Sequence, residues 1–110
     1  MLKDFHALYR NEGPYHHRAR GFSAWFLQDN YAALAAAVQP DDEVLDLGCG
    51  EGCLAERLRC RRLWGIDDAA VALEWNRQLY PGAYERLFEG DLRRLDEFEL
   101  PRHGFDVVVC

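Results

Sequence analysis

No stretch of the chain approaches the run of about 18 apolar residues that a membrane-crossing helix requires. The opening residues, MLKDFHALYR, are broken up by charges and lack the apolar segment of a signal peptide, so a cytoplasmic location is the expectation. Basic charge is in deficit: Lys plus Arg number 13 against 19 Asp plus Glu, a net charge of −6. That balance argues against a protein that grips a nucleic-acid backbone through a basic face. The basic residues present gather at one end. Residues 1–21 carry Lys3, Arg10, Arg18 and Arg20 against Asp4 and Glu12, a net +2, and the remainder sums to −8. Cys-x-x-Cys is missing. The four cysteines, Cys49, Cys53, Cys60 and Cys110, stand at gaps of 4, 7 and 50, which match no zinc-finger spacing, and small buried thiols are the simpler reading than a metal site. Adjacent His16 and His17 have no acidic or cysteine partner at a useful spacing, so no metal ligand is assigned there either. Internal repeats and low-complexity tracts are absent, apart from an alanine-rich stretch at Tyr31–Val38.

What is present suits one small domain. Hydrophobic residues make up 49% of 110 and aromatics 13%, which excludes a disordered tail. A chain of this size buries roughly two-thirds of the surface it exposes when unfolded. Phe22, Trp25, Phe26 and Asp29 fall at helical spacing and lead into Tyr31–Val38, a helix that must stop before Pro40. Glu43–Leu47 is a short apolar run with one acid, bounded by Asp41-Asp42 and by glycines, and reads as a buried parallel strand. Cys53–Arg59 reads as a helix with Leu54 and Leu58 on one face, and Leu63–Ile66 as a second strand. An amphipathic helix is expected from about Ala69 to Tyr80, ended by Pro81-Gly82. Tyr84–Phe88 is the third expected strand, Leu92–Phe98 a short helix and Phe105–Val109 a fourth strand. Trp64 is expected to pack in the sheet and Trp75 on the covering helix. Strands alternating with helices imply right-handed βαβ units and a parallel sheet, an α/β fold. The valine-rich fourth strand calls for cover on both edges, so the chain reads as stopping midway through a larger domain or as pairing that edge with another copy or partner.

The most informative stretch is Asp46-Leu-Gly-Cys-Gly-Glu-Gly52. After a buried strand, Gly48, Gly50 and Gly52 let the backbone turn sharply and approach a ligand closely, with free amides of the following turn aimed at it. A dinucleotide-binding loop reads Gly-x-Gly-x-x-Gly; here the third glycine comes one residue early. No Lys-Ser or Lys-Thr follows, which excludes a P-loop. The loop also carries two acids, Asp46 and Glu51, which would repel a diphosphate and suit a ligand with an ammonium group.

Val44-Leu-Asp-Leu-Gly-Cys-Gly-Glu-Gly52 resembles the first motif of class I S-adenosylmethionine-dependent methyltransferases. Trp64-Gly-Ile-Asp67, with its acid 21 residues after Asp46, resembles the end of that family's second strand. Glu89-Gly-Asp91-Leu92 resembles the loop after its third strand, and Phe105–Val109 the opening of its fourth. The resemblance covers about residues 41–110. It implies a doubly wound, Rossmann-like parallel sheet of order 3-2-1-4, truncated after the fourth of seven strands, with residues 1–40 as a helical cap segment. It implies S-adenosyl-L-methionine as cofactor. Asp46 would help to hold its ammonium, and the backbone at Gly48, Cys49, Gly50 and Gly52 would lie against its methionine and ribose portions. Asp67 would accept from both ribose hydroxyls, with Asp68 as a solvated neighbour or helix cap; Asp91 would accept from the adenine amino group and Leu92 pack on the ring. All would lie outside the carboxyl ends of the strands, where open α/β sheets bind ligands.

Against these roles, Asp67 and Asp91 could serve only as helix N-caps, and Asp106 reads as structural. Tyr15-His-His-Arg-Ala-Arg20 reads as a solvated basic loop, with contact of Tyr15 or Arg18 to the cofactor's carboxylate as the alternative. The function the resemblance implies is methyl transfer to an acceptor, expected to be a small molecule. The competing readings are a non-catalytic cofactor-binding or dimerising module and, disfavoured by the loop, an NAD-type domain. No catalytic residue is nominated.

Overall fold

The computed structural model describes residues 31–110. The expectations at Tyr15, His16, His17, Arg18, Arg20, Phe22, Trp25, Phe26 and Asp29 lie outside the described residues. Four strands form one parallel sheet: β1 (Glu43–Leu47), β2 (Arg62–Asp67), β3 (Arg86–Glu89) and β4 (Val107–Val109), in the order β3-β2-β1-β4. This is the expected α/β order. β1 lies inside the sheet, Val44 facing Leu63 on β2 and Val107 on β4. Strands paired on both edges and covered on both faces have no side to give to water, which is why β1 and β2 read as nearly continuous apolar runs. Val44 and Ile66 have no exposed surface.

Alternation along the strands sorts the core into two layers. On one face Val44, Leu63 and Val109 pack with Val38, Leu54, Leu73 and Tyr84. On the other, Leu45, Trp64 and Ile66 pack with Phe88, Leu92, Phe98 and Phe105. Helix α1 (Ala70–Leu79) covers the first face, its buried stripe running through Ala69, Ala72, Leu73 and Asn76 at helical spacing. Trp64 sits in the sheet and Trp75 packs on α1 against Ala69 and Ala72, both as expected. Residues 31–37 are helical and the helix stops short of Pro40. A 3-10 helix spans Leu92–Glu97, with a break in helical geometry at Arg94.

Three expected elements are corrected. Cys53–Arg59 is not a helix; residues 53–57 form successive turns. Ala55 N–H donates to Gly52 C=O and Arg57 N–H to Leu54 C=O, and Leu58 N–H adds a single four-residue bond to Leu54 C=O. Nine residues squeezed between Gly52 and the next strand are too few to nucleate and propagate a helix, so the segment settles for anchoring Leu54 in the core. β3 begins at Arg86 rather than Tyr84, because Tyr84 follows the turn closed by Ala83 N–H to Tyr80 C=O and its ring turns into the core. β4 begins at Val107 rather than Phe105. There, Asp106 N–H donates to Glu43 C=O while its own Oδ2 accepts from Glu43 N–H, both at 2.8 Å. Asp106 is thus structural, as read. Arg62 completes this fastening of the strands' amino ends. Its guanidinium lies 4.9 Å from the Trp64 ring centre and 5.3 Å from that of Phe105, and it donates to Glu43 Oε2 and Gly104 C=O, each at 2.9 Å.

Candidate functional site

Asp46, Gly48, Gly50, Gly52 and Asp67 all fall at the carboxyl ends of β1 and β2, the end of the sheet opposite that fastening. Gly48 and Cys49 turn their N–H groups back to Ile66 C=O, at 2.8 and 3.1 Å, so the chain leaving β1 bends over β2. The three loop glycines all have positive φ: Gly48 +76°, Gly50 +53° and Gly52 +91°. Gly52 is the most constrained. A Cβ there would come within 2.9 Å of the Asn76 side chain, in a backbone conformation that L-residues seldom adopt.

Asp67 clasps this loop to the start of α1. Its Oδ2 accepts from Gly50 N–H at 2.9 Å and its Oδ1 from Ala69 N–H at 2.8 Å. Burial raises its carboxyl above the usual range, against the lowering effect of those two bonds. Asp67 thus holds the residue that precedes α1; Asp68 is exposed, and Ala69, the residue at the cap position, makes no side-chain cap bond. From the middle of α1, Asn76 Nδ2 donates to Gly50 C=O at 3.1 Å. The peptide groups flanking Gly50 are thus held from β2 on one side and from α1 on the other. Asn76 has no exposed surface, and its Oδ1 has no hydrogen-bond partner among the described residues.

Asp46 lies beneath the loop, 5% exposed, and accepts a 2.7 Å hydrogen bond from the Tyr84 hydroxyl. Burial pushes its carboxyl up to about 6; the Tyr84 bond works to lower it, and the nearby Asp67 charge to raise it. The Cys49 thiol is buried in the core and held far above its ordinary value, chiefly by burial, so Cys49 offers the site only its backbone. Glu51, the loop's second acid, also turns inward. It is fully buried and accepts from the Cys53 thiol at 3.5 Å, so it presents no charge to the crevice.

The loop after β3 is tied to the same end by Gly90 N–H to Asp67 C=O at 3.0 Å. Asp91 caps the 3-10 helix by accepting from Arg93 N–H, and Arg93 Nε and Nη2 also reach its carboxylate. The Arg93 side chain is the main reason that the Asp91 carboxyl is lowered to about 2. Leu92 packs inward, its Cδ1 3.8 Å from where a Cβ on Gly48 would stand. The structure therefore assembles Asp46, the loop backbone, Asp67 and Leu92, with Asp68 exposed beside them and Asp91 paired at the surface with Arg93.

Three residues of this assembly escaped the sequence reading. Asn76 had a signal, a polar side chain in the apolar stripe of α1. Arg93 stands two residues after Asp91, a spacing common among unpaired surface charges. Tyr84 carries no signal except that it follows a Pro-Gly turn.

A family model described as a methyltransferase domain matches residues 44–110. An uncharacterized methyltransferase of Schizosaccharomyces pombe is 44% identical over 69 residues, covering 61% of this chain and 25% of its own length. The ribosomal RNA small subunit methyltransferase A of Parasynechococcus marenigrum is 38% identical over 103 residues, 86% of this chain and 32% of that protein. Among solved structures, an amino pentose methyltransferase of Micromonospora echinaspora, with S-adenosylmethionine bound, superposes with a TM-score of 0.55 at 30% identity, covering 98% of this chain and 41% of that one. The chain spans a quarter to a third of the length of these two curated relatives.

Proposed function

Because the chain belongs to the methyltransferase-domain family, we propose that it binds S-adenosylmethionine at the glycine loop and serves methyl transfer to an acceptor. The observation that carries this reading is the loop itself: three left-handed glycines, clasped to a carboxylate at the end of the neighbouring strand. The donor set fits the cofactor. It offers carboxylates and bare backbone, which suit an ammonium and hydroxyl groups; a diphosphate would meet negative charge there. Asp46 receives the ammonium, directly or through water. The backbone at Gly48, Cys49, Gly50 and Gly52 lies along the methionine and ribose portions. Asp67 takes the ribose hydroxyls with the lone pairs that Gly50 and Ala69 leave free, and Asp68 stays in solvent beside it. Leu92 packs on the adenine, and Asp91 accepts from its amino group once Arg93 yields an oxygen.

When bound, S-adenosylmethionine supplies an electrophilic methyl group on a sulfonium centre. The chain's own part is to bind and orient. No side chain among the described residues is assigned as a general base, and none is needed for an acceptor that is already nucleophilic. A small-molecule acceptor is the preferred reading, supported by the net charge of −6, which disfavours a nucleic-acid backbone. The alternative, a binding or dimerising module, draws on β4. Among the described residues this strand pairs only with β1, and its Val108 is 57% exposed, so its outer edge suits a further strand from a second copy or a partner.

Calorimetric titration with S-adenosylhomocysteine, with NAD as the comparison, tests the cofactor reading. Selective binding of S-adenosylhomocysteine, weakened at least tenfold by Asp67→Ala, is expected, since a hydrogen bond to a charged group contributes about 1.5–3 kcal/mol. Preference for NAD would overturn it.

A further inference from the structure

We propose that Tyr84 is a positioning residue of this site, its hydroxyl holding the Asp46 carboxylate ionised and fixed in the geometry that receives the cofactor's ammonium. The inference rests on the reading of Asp46 given above and assigns its control to a residue outside every glycine-loop and strand-end motif.

Two independent features support it. The first is the bond itself: Tyr84 Oη donates to Asp46 Oδ2 at 2.7 Å, with both residues buried. Among the described residues no other hydrogen bond reaches the Asp46 carboxylate, so Oδ1 remains for a ligand. The second is the slot that fixes the phenol ring. A Cβ at position 65 would meet Tyr84 Cδ1 and Cε1 at 2.9 Å and Cys49 Sγ at 2.8 Å. The ring stands where it does because β2 carries glycine there, and a ring held on its face cannot swing its hydroxyl away.

The surroundings give that one donor its weight. From β2, Asp67 brings a second negative charge towards Asp46. The Cys49 thiol of the loop and the Tyr31 hydroxyl of the helical segment 31–37 are raised chiefly by burial, and each feels the Asp46 charge as a further upward push. Among the described residues, no cation contributes at Asp46. Tyr84 itself is pushed far above the usual tyrosine range, chiefly by burial and then by Asp46, so it stays a proton donor at any working pH. With the hydroxyl removed, burial and the Asp67 charge act unopposed, and the carboxyl takes up its proton at a higher pH. Ammonium binding then fails at a higher pH too.

The test is S-adenosylhomocysteine affinity between pH 5 and 8 for the wild-type chain, Tyr84→Phe and Asp46→Asn. Wild-type affinity is expected to fall below about pH 6, where Asp46 protonates. In Tyr84→Phe the fall should begin about one pH unit higher, roughly the worth of one hydrogen bond to a charged group, with affinity at pH 8 within about threefold of wild type. Asp46→Asn should bind weakly with no such dependence. Superimposed wild-type and Tyr84→Phe profiles would overturn the proposal, and so would a loss uniform across pH, which marks a structural role only. Failure of the wild-type chain to bind at any pH overturns the cofactor reading and this proposal with it, whereas binding with superimposed profiles overturns this proposal alone. If Tyr84→Phe does not fold, carbon-13 NMR of the wild-type chain decides: Tyr84 Cζ should shift with the Asp46 titration and again on adding S-adenosylhomocysteine. A Tyr84 Cζ blind to both refutes the assignment.

Discussion

Replacing Asp46 with asparagine is expected to stabilise the unliganded protein above pH 6 while removing its grip on the cofactor. The Asp46 carboxyl is raised from 3.8 to about 6, mainly by burial. A carboxyl raised by folding is one whose charged form the fold disfavours. The penalty is therefore absent below about pH 4, grows between 4 and 6 and is complete above 6. At 1.36 kcal/mol per unit, the shift places about 3 kcal/mol against the folded state at pH 8. Asparagine removes the charge and keeps an acceptor for the Tyr84 hydroxyl, but it gives up the stronger bond that a carboxylate receives. The net gain expected is about 1–2 kcal/mol, or ~5–10 °C in Tm for a chain of this size. Urea denaturation of both proteins from pH 4.5 to 8 measures it. The gain should be largest at pH 8 and shrink towards zero at pH 4.5. A loss at pH 8, or a difference that does not change with pH, would refute the placement of a charged Asp46 in a desolvated pocket. The expected result, more stability and less binding, is the trade found where a site holds a charge that the fold alone would not keep.

Other perturbations probe the loop from different sides. Gly52→Ala should cost about 2–4 kcal/mol, because it adds a clash with Asn76 to a positive φ, whereas Gly82→Ala, at φ +77° with open space around it, should cost only the backbone strain of about 1–2 kcal/mol; thermal denaturation separates them. Asn76→Ala removes the bond to Gly50 C=O and leaves a void, so a loss of about 2 kcal/mol in urea denaturation and a severalfold weaker S-adenosylhomocysteine affinity are expected. Arg93→Ala should leave Tm unchanged, since its side chain is 89% exposed, and should leave affinity equal or severalfold tighter by freeing Asp91; a tenfold loss by calorimetry would contradict that arrangement.

Legibility in the sequence followed periodicity and local chemistry. β1, β2 and α1 were readable because an apolar run and an amphipathic stripe are each complete within their own residues. Asp46, the glycines and Asp67 were readable as positions because the turn they make has a strict conformational demand. Their relations were not. That Tyr84 meets Asp46 across 38 residues, or that Asn76 reaches Gly50 across 26, depends on how α1 and the turn before β3 settle on the sheet. The Cys53–Arg59 segment shows the opposite failure. Leu54 and Leu58 have helical spacing, yet the room between loop and strand admits only turns. Glu51 shows the limit of reading charge by position, since its carboxylate went to the interior while Asp46 and Asp67 remained at the site.

The fastening at the strands' amino ends has a consequence for the order in which the molecule assembles. Arg62 and Glu43 are separated by 19 residues, whereas Asp106 reaches Glu43 across 63. Closing the longer loop costs about 1 kcal/mol more in chain entropy, and little of β4 is available to offset it until its three residues have docked. The β1–β2 pair should therefore form early and β4 join it afterwards. During synthesis, β1 waits with one edge open until residue 106 has left the ribosome, and the Asp106 bracket then closes that edge against wrong partners. Substitutions at Asp106 or Val107 should accordingly speed unfolding and leave the folding rate nearly unchanged.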